Sequence, residues 1–180
     1  SGAAMRPLAQ QLALPLQAHF PDGLQPFDMG QGRQWFSVQG VTESNRPARV
    51  AEALPHFRTL VDSFGDPRES LLIGFSQGAI MALHAAAEGL ACAGVFALSG
   101  RLAGPVGPRA AWPPLWLLHG GADPVMPPQI AYATEAWLRA AGAAPQLELF
   151  NGLGHAIDER STEVIRSAAK SLAPELANRL

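Results

Sequence analysis

Ser76, Asp123 and His155 are the residues whose types and placement could do nucleophilic chemistry together, because each directly follows a stretch that reads as a strand. A serine hydroxyl is a poor nucleophile at neutral pH; it needs a base, and the base needs an acid to orient it. Ser76 sits in Gly74-Phe75-Ser76-Gln77-Gly78, after the apolar run Leu71-Leu72-Ile73 and before Ala79-Ile80-Met81. A short apolar run, a Gly-x-Ser-x-Gly turn and small apolar residues describe a strand, a sharp turn and a helix, which is the layout of a nucleophile elbow. The turn forces Ser76 into a strained backbone conformation, and the residues two before and two after it are expected to approach too closely for side chains, a demand that Gly74 and Gly78 meet.

The five-residue pattern is short enough to arise by chance, so its surroundings must support it. Ser70 to Phe75 has strand length, and Gln77 to Glu88 contains few helix breakers until Gly89. Downstream, the strand-like Leu115 to His119 runs into Gly120-Gly121-Ala122-Asp123-Pro124, and the alternating Gln146 to Phe150 runs into Asn151-Gly152-Leu153-Gly154-His155. In open α/β sheets such strand ends are where reacting groups gather. His119 precedes the acid in the chain and reads as a residue that orients the Asp123 loop. His19, His56 and His84 fall within predicted strand or helix. Asp158 is the rival acid, but three residues beyond His155 it is better placed to start the last helix.

The remaining elements follow from periodicity and breakers. Met5, Leu8 and Leu12 predict a helix over Ala3 to Leu14, closed by Pro15, and Leu16 to Phe20 reads as a short strand before the turn Pro21-Asp22-Gly23. Gln25 to Val41 is a glycine-rich connection without the Gly-Lys-Ser/Thr of a phosphate loop. Such a connection is often a binding loop, and Trp35 and Phe36 could wall a pocket there or simply cover the core. Ser44 or Asn45 can cap a helix that tolerates Pro47 in its first turn, carries the stripe Val50, Ala53, Leu54, Phe57, Leu60, Val61 and Phe64, and stops at Gly65-Asp66-Pro67. Gly94 to Leu98 reads as a strand and Arg101 to Pro114 as a proline-rich connection. Pro127 to Ala141 reads as a helix, and Arg160 to Leu172 as an amphipathic helix with a second short piece after Pro174. Strands alternating with helices predict an α/β domain spanning 1–180, with a mostly parallel sheet covered on both faces.

Composition narrows the function classes. With 48% hydrophobic and 16% charged residues, the chain fits a compact globular enzyme. A net charge of −2 with scattered basic residues gives no nucleic-acid groove and no polybasic membrane patch. Cys92 is the single cysteine, which excludes an intrachain disulfide or a cysteine-rich metal site, and its apolar surroundings read as core. The apolar runs fall short of a membrane span, and Ser1 to Arg6 lacks the features of a signal peptide, so the expected location is the cytoplasm. The oligomeric state is not legible in the sequence; a homodimer stays open.

Gly74-Phe75-Ser76-Gln77-Gly78, His119-Gly120-Gly121-Ala122-Asp123-Pro124-Val125 and Gly154-His155 together resemble the carboxylesterase, phospholipase and acyl-protein thioesterase group of serine esterases. Gly32-Arg33-Gln34-Trp35-Phe36-Ser37 and Gly78-Ala79-Ile80-Met81-Ala82-Leu83 are most similar to bacterial YpfH-type esterases. The resemblance covers nearly the whole chain. It implies an α/β-hydrolase fold without a lid domain, with Ser76 as nucleophile, His155 as base, Asp123 as its partner and the backbone N–H of Gln77 as an oxyanion donor. It also implies that Trp35, Phe36, Met126 and Ile157 lie near Ser76. No metal or organic cofactor is implied, and the expected substrate is a small carboxylic ester, with acyl-protein thioesters or lysophospholipids as the alternative. Members of the group begin with an apolar strand ending in His-Gly-x-Gly, which supplies a second oxyanion donor; the sequence here opens after that loop. Such a strand would lie between Leu16 to Phe20 and the elbow strand. Its absence from the sequence is the one feature favouring a different class, a non-catalytic hydrolase-fold binding protein.

Overall fold

A computed structural model describes residues 1–177, with side chains described as far as residue 172. After a 3-10 turn at Gly2–Met5, the chain forms α1 (Arg6–Leu12), β1 (Gln25–Pro26), β2 (Arg33–Gln34), α2 (Arg46–Ser63), β3 (Leu71–Phe75), α3 (Gln77–Ala87) and β4 (Gly94–Leu98). It continues through β5 (Leu115–Gly120), α4 (Pro128–Ala140), β6 (Gln146–Phe150) and α5 (Glu159–Ala177). The strands β3, β4, β5 and β6 form a parallel sheet in that order, with Phe75 beside Leu98, Leu98 beside Leu118 and His119 beside Leu149. β1 and β2 make a separate small antiparallel pair.

Side chains alternate across a strand, so the central strands feed two cores. Val95, Ala97, Leu115 and Leu117 pack under α2, α3 and α4 with Val50, Leu54, Met81, Leu83 and Leu138. Phe96, Leu98, Trp116 and Leu118 pack on the other face with Leu8 and Leu12 of α1 and Ile165 and Ala169 of α5. Phe96 and Trp116 stack there at 4.6 Å between ring centroids. β4 and β5 are buried along their whole length, which is why they read as continuous apolar runs.

Several local expectations change. Leu16 to Phe20 forms no strand and pairs with no described strand; together with β3 it lines a cavity of about 1220 Å³. The segment is held by side-chain contacts instead, with His19 stacked on Phe64 and the Arg6 guanidinium over the Phe20 ring. Among the described residues β3 pairs on one side alone, with β4, and Leu71, Ile73 and Phe75 line that cavity together with Leu8, Leu12 and Leu16. Asn45 does occupy the N-cap of α2, but its side chain accepts the Thr42 N–H and leaves the helix N–H groups uncapped. α5 runs through Pro174 as one helix rather than ending before a second short piece. No helix among the described residues is long and apolar enough to cross a membrane.

His84, in the last turn of α3, fastens the connection after β4. Its Nε2 accepts the Ala103 N–H at 2.8 Å, which requires an unprotonated ring nitrogen. Burial pushes its pKa down to about 4 from an ordinary 6.5. The folded state therefore binds fewer protons than the unfolded chain, so this stabilisation is complete above the unfolded value of 6.5 and is lost as pH falls toward and through about 4. The slope is at most about 1.4 kcal/mol per pH unit. Melting temperature followed across this window should fall, and should fall less steeply in His84→Gln, whose amide oxygen can accept the same N–H without titrating. Equal slopes would rule out His84 as the source.

Candidate active site

The elbow is built by the end of β3 and the start of α3. Ser76 has φ 52° and ψ −114°, a conformation L-residues rarely adopt, at the point where strand becomes helix. A Cβ on Gly74 would stand 2.5 Å from the backbone of Gly78 and Ala79, so glycine is obligatory there. Gly78 differs from expectation: a Cβ at that position would meet nothing within 4 Å, because this side of α3 faces open space. The close approach is therefore made by the strand side of the elbow alone.

The tertiary fold brings Ser76, Asp123 and His155 into one chain of hydrogen bonds. His155 Nε2 lies 3.0 Å from Ser76 Oγ, and His155 Nδ1 lies 2.7 Å from Asp123 Oδ2. A carboxylate only accepts, so Nδ1 carries the hydrogen and Nε2 is free to accept the serine hydroxyl. Asp123 is 3% exposed. Burial works to raise its carboxyl pKa, but the N–H of Met126, the His155 ring and the N–H of Val125 outweigh it and hold the group below its ordinary value. The two backbone bonds, 2.8 Å from Met126 and 2.9 Å from Val125, end on Oδ1 and leave Oδ2 aimed at the imidazole.

Around this chain, each loop is tied to another. His119 is buried, and its Nε2 bonds the Met126 carbonyl at 2.7 Å, bracing the turn that carries Asp123. A Cβ on Gly120 would stand 2.2 Å from the Gly154 carbonyl, so the glycine at the end of β5 lets the His155 loop close over it. The His155 ring packs on Phe75 at 4.8 Å. Asp158 takes no part in the chain. It accepts the Ser161 N–H and donates its own N–H to Ser161 Oγ, a capping box at the start of α5.

Ser76, Gln77, His155, Trp35, Phe36 and Met126 line the large cavity beside β3. Ile157 is not among the residues that line it; half-buried, it packs against the core that holds Phe96 and Trp116. Gln77 is the first residue of α3, so its backbone N–H belongs to the helical turn in which donors have no intrahelical partner. Sequence patterning missed three residues. Asp28 accepts the Ser37 hydroxyl and the Val38 N–H, pinning the connection that carries Trp35 and Phe36. Arg101, 6% exposed, makes a two-pronged ion pair with Glu43 at 3.0 and 2.6 Å and lines the same cavity. The isolated arginine just after Ser99-Gly100 was the only available signal, and nothing in the chain pointed to Glu43.

A parallel sheet with an elbow serine at one strand end, and a histidine and buried carboxylate from the next strand ends, defines an α/β-hydrolase. Residues 18–172 match the Phospholipase/Carboxylesterase family model, and the chain belongs to that family of carboxylic ester hydrolases. It is 42% identical to Esterase YpfH of Escherichia coli (strain K12) over 158 residues, covering 80% of this chain and 68% of that protein. Solved structures of similar fold include Arabidopsis thaliana SOBER1, with a TM-score of 0.77 at 22% identity, covering 96% of this chain and 93% of that one. Zea mays acyl-protein thioesterase 2 is similar with a TM-score of 0.74 at 20% identity, covering 95% and 88%.

The geometry makes Asp123, not Asp158, the partner of His155. Asp123→Asn should lower p-nitrophenyl butyrate turnover by on the order of 10⁴-fold with the circular dichroism spectrum unchanged, because an amide favours the wrong tautomer of the ring. Asp158→Ala should instead cost about 1 kcal/mol of stability through the lost cap. The opposite pattern of losses would reassign the acid.

Proposed function

We propose that this protein is a serine carboxylesterase that cleaves small carboxylic esters through an acyl-enzyme. The observation that carries the reading is the unbroken chain from Ser76 Oγ through His155 to the buried Asp123 carboxylate, opening onto a cavity. Ser76 Oγ attacks the ester carbonyl while His155 Nε2 takes its proton; Asp123 stabilises the imidazolium, and the Gln77 N–H faces the negative charge that develops on the carbonyl oxygen. Collapse expels the alcohol with the proton from His155. Water, deprotonated by the same ring, then attacks the acyl-enzyme and restores the serine.

A second reading, a long-chain thioesterase or lysophospholipase, draws support from the Phospholipase/Carboxylesterase family itself and from the likeness to Zea mays acyl-protein thioesterase 2. Small esters remain the first reading because the relative at 42% identity is an esterase, Esterase YpfH of Escherichia coli, whereas the thioesterase likeness is one of fold. The two readings differ in acyl length, and a series of p-nitrophenyl esters from acetate to palmitate separates them. The expected result is greatest kcat/KM at acetate or butyrate; a maximum at the long esters would transfer the assignment to the second reading. Ser76→Ala should abolish turnover of every ester in the series. Equal activity in Ser76→Ala and the wild type would leave the chain a hydrolase-fold binding protein.

A further inference from the structure

The side chain of Gln77 lies at the join between the elbow and the aromatic loop. Its Oε1 accepts the Trp35 N–H at 2.8 Å, and its Nε2 donates to the Phe36 carbonyl at 2.7 Å, in a partly buried setting. An amide offers a donor and an acceptor side by side, so it closes on the Trp35 N–H and the Phe36 carbonyl across the bend at residues 35 and 36. No ladder serves these two groups: β2 ends at Gln34 and no strand continues through residues 35 and 36. Phe36 is 4% exposed, and Trp35 meets Phe57 edge-on at 5.1 Å, so the backbone held by Gln77 carries two side chains already committed to the core. Gln77 thus follows Ser76 directly in the chain and bonds by its side chain to the Trp35-Phe36 segment, which lines the same cavity as Ser76.

We propose that Gln77 is a positioning residue for acyl selectivity, its side-chain amide holding Trp35 and Phe36 at a set distance from Ser76. The inference rests on Ser76 being the nucleophile, so that an acyl group attached there lies against this wall. A wall tied to the residue next to the nucleophile keeps register with it, whereas a wall tied only to α2 would move with that helix.

The decisive quantity is the ratio of kcat/KM for p-nitrophenyl butyrate to that for p-nitrophenyl acetate, measured on the whole chain. Both substrates use the same His155, so its titration cancels in the ratio. Gln77→Met has similar length and neither hydrogen bond; its ratio should fall by about fivefold or more, the KM for butyrate rising by more than kcat falls. Gln77→Glu keeps the acceptor for the Trp35 N–H but turns a lone pair toward the Phe36 carbonyl. Its ratio should be low near pH 8 and climb toward the wild-type value near pH 6, as a carboxyl raised by that carbonyl gains a proton to donate. Trp35→Leu should lower the ratio as Gln77→Met does, and the two changes together should fall short of their combined separate effects.

An unchanged ratio in Gln77→Met, or equal losses of kcat for both esters with KM unaltered, would overturn the proposal. If Gln77→Met does not fold, a pH-independent ratio in Gln77→Glu overturns it, and if neither folds, a wild-type ratio in Trp35→Leu does. Failure of the esterase reading is distinguishable, because it shows as wild-type turnover by Ser76→Ala.

Discussion

Everything at this site depends on the backbone strain at Ser76. A residue at φ 52° and ψ −114° costs on the order of 1–3 kcal/mol, and it persists only where its surroundings overdetermine it. The Ser76 N–H bonds the Leu98 carbonyl of β4 at 2.8 Å, and the Ser76 carbonyl accepts the N–H groups of Ala79 and Ile80 as α3 begins. Gly74 removes the side chain that would collide with the first turn of α3. The strain is thus maintained by the last rung of the sheet and the first turn of the helix. Both are anchored in a core where Ala79, Met81, Leu83 and Val95 are fully buried.

With the serine held, the remaining groups need only reach it from the neighbouring strand ends. Parallel strands place their carboxyl ends on one edge of the sheet, so residues far apart in the chain arrive side by side: 79 positions separate His155 from Ser76 and 32 separate it from Asp123. A buried carboxylate is costly unless its lone pairs are used. Asp123 uses them on two backbone N–H groups and one imidazole, and His119 secures the carbonyl of the same turn. Directing one carboxylate oxygen entirely to the backbone is what fixes the orientation of the other.

The approach to the serine is organised by a second set of ties. Asp28 holds Ser37 and Val38, Gln77 holds Trp35 and Phe36, and Arg101 spans to Glu43, whose carboxyl is held below its ordinary value first by Arg101 and then by Arg46. These ties join loops to the end of β4 and the start of α3 without extending the sheet. The loop over residues 25–41 is therefore shaped by side-chain to backbone bonds rather than by a ladder, apart from the brief pairing of β1 with β2.

The sequence by itself determined what local chemistry encodes. Uninterrupted apolar runs marked β4 and β5, because strands buried on both faces carry little else; the Gly-x-Ser-x-Gly turn marked the elbow, whose close approach needs the glycine at Gly74 though not the one at Gly78. Strand-end placement was enough to put Ser76, Asp123 and His155 forward together, and the capping position of Asp158 was enough to set it aside. Tertiary structure decided whatever depends on a partner distant in the chain. Leu16 to Phe20 has strand-like residues but finds no ladder partner among the described residues, and a strand exists only as a paired ladder. Ile157 is as apolar as Met126, yet it packs against the core that holds Phe96 and Trp116 while Met126 lines the cavity, a difference no local pattern records. Gln77 and the Arg101–Glu43 pair were silent for the same reason: a polar side chain declares its role only when folding brings up the group it bonds, and neither spacing nor periodicity records that partner.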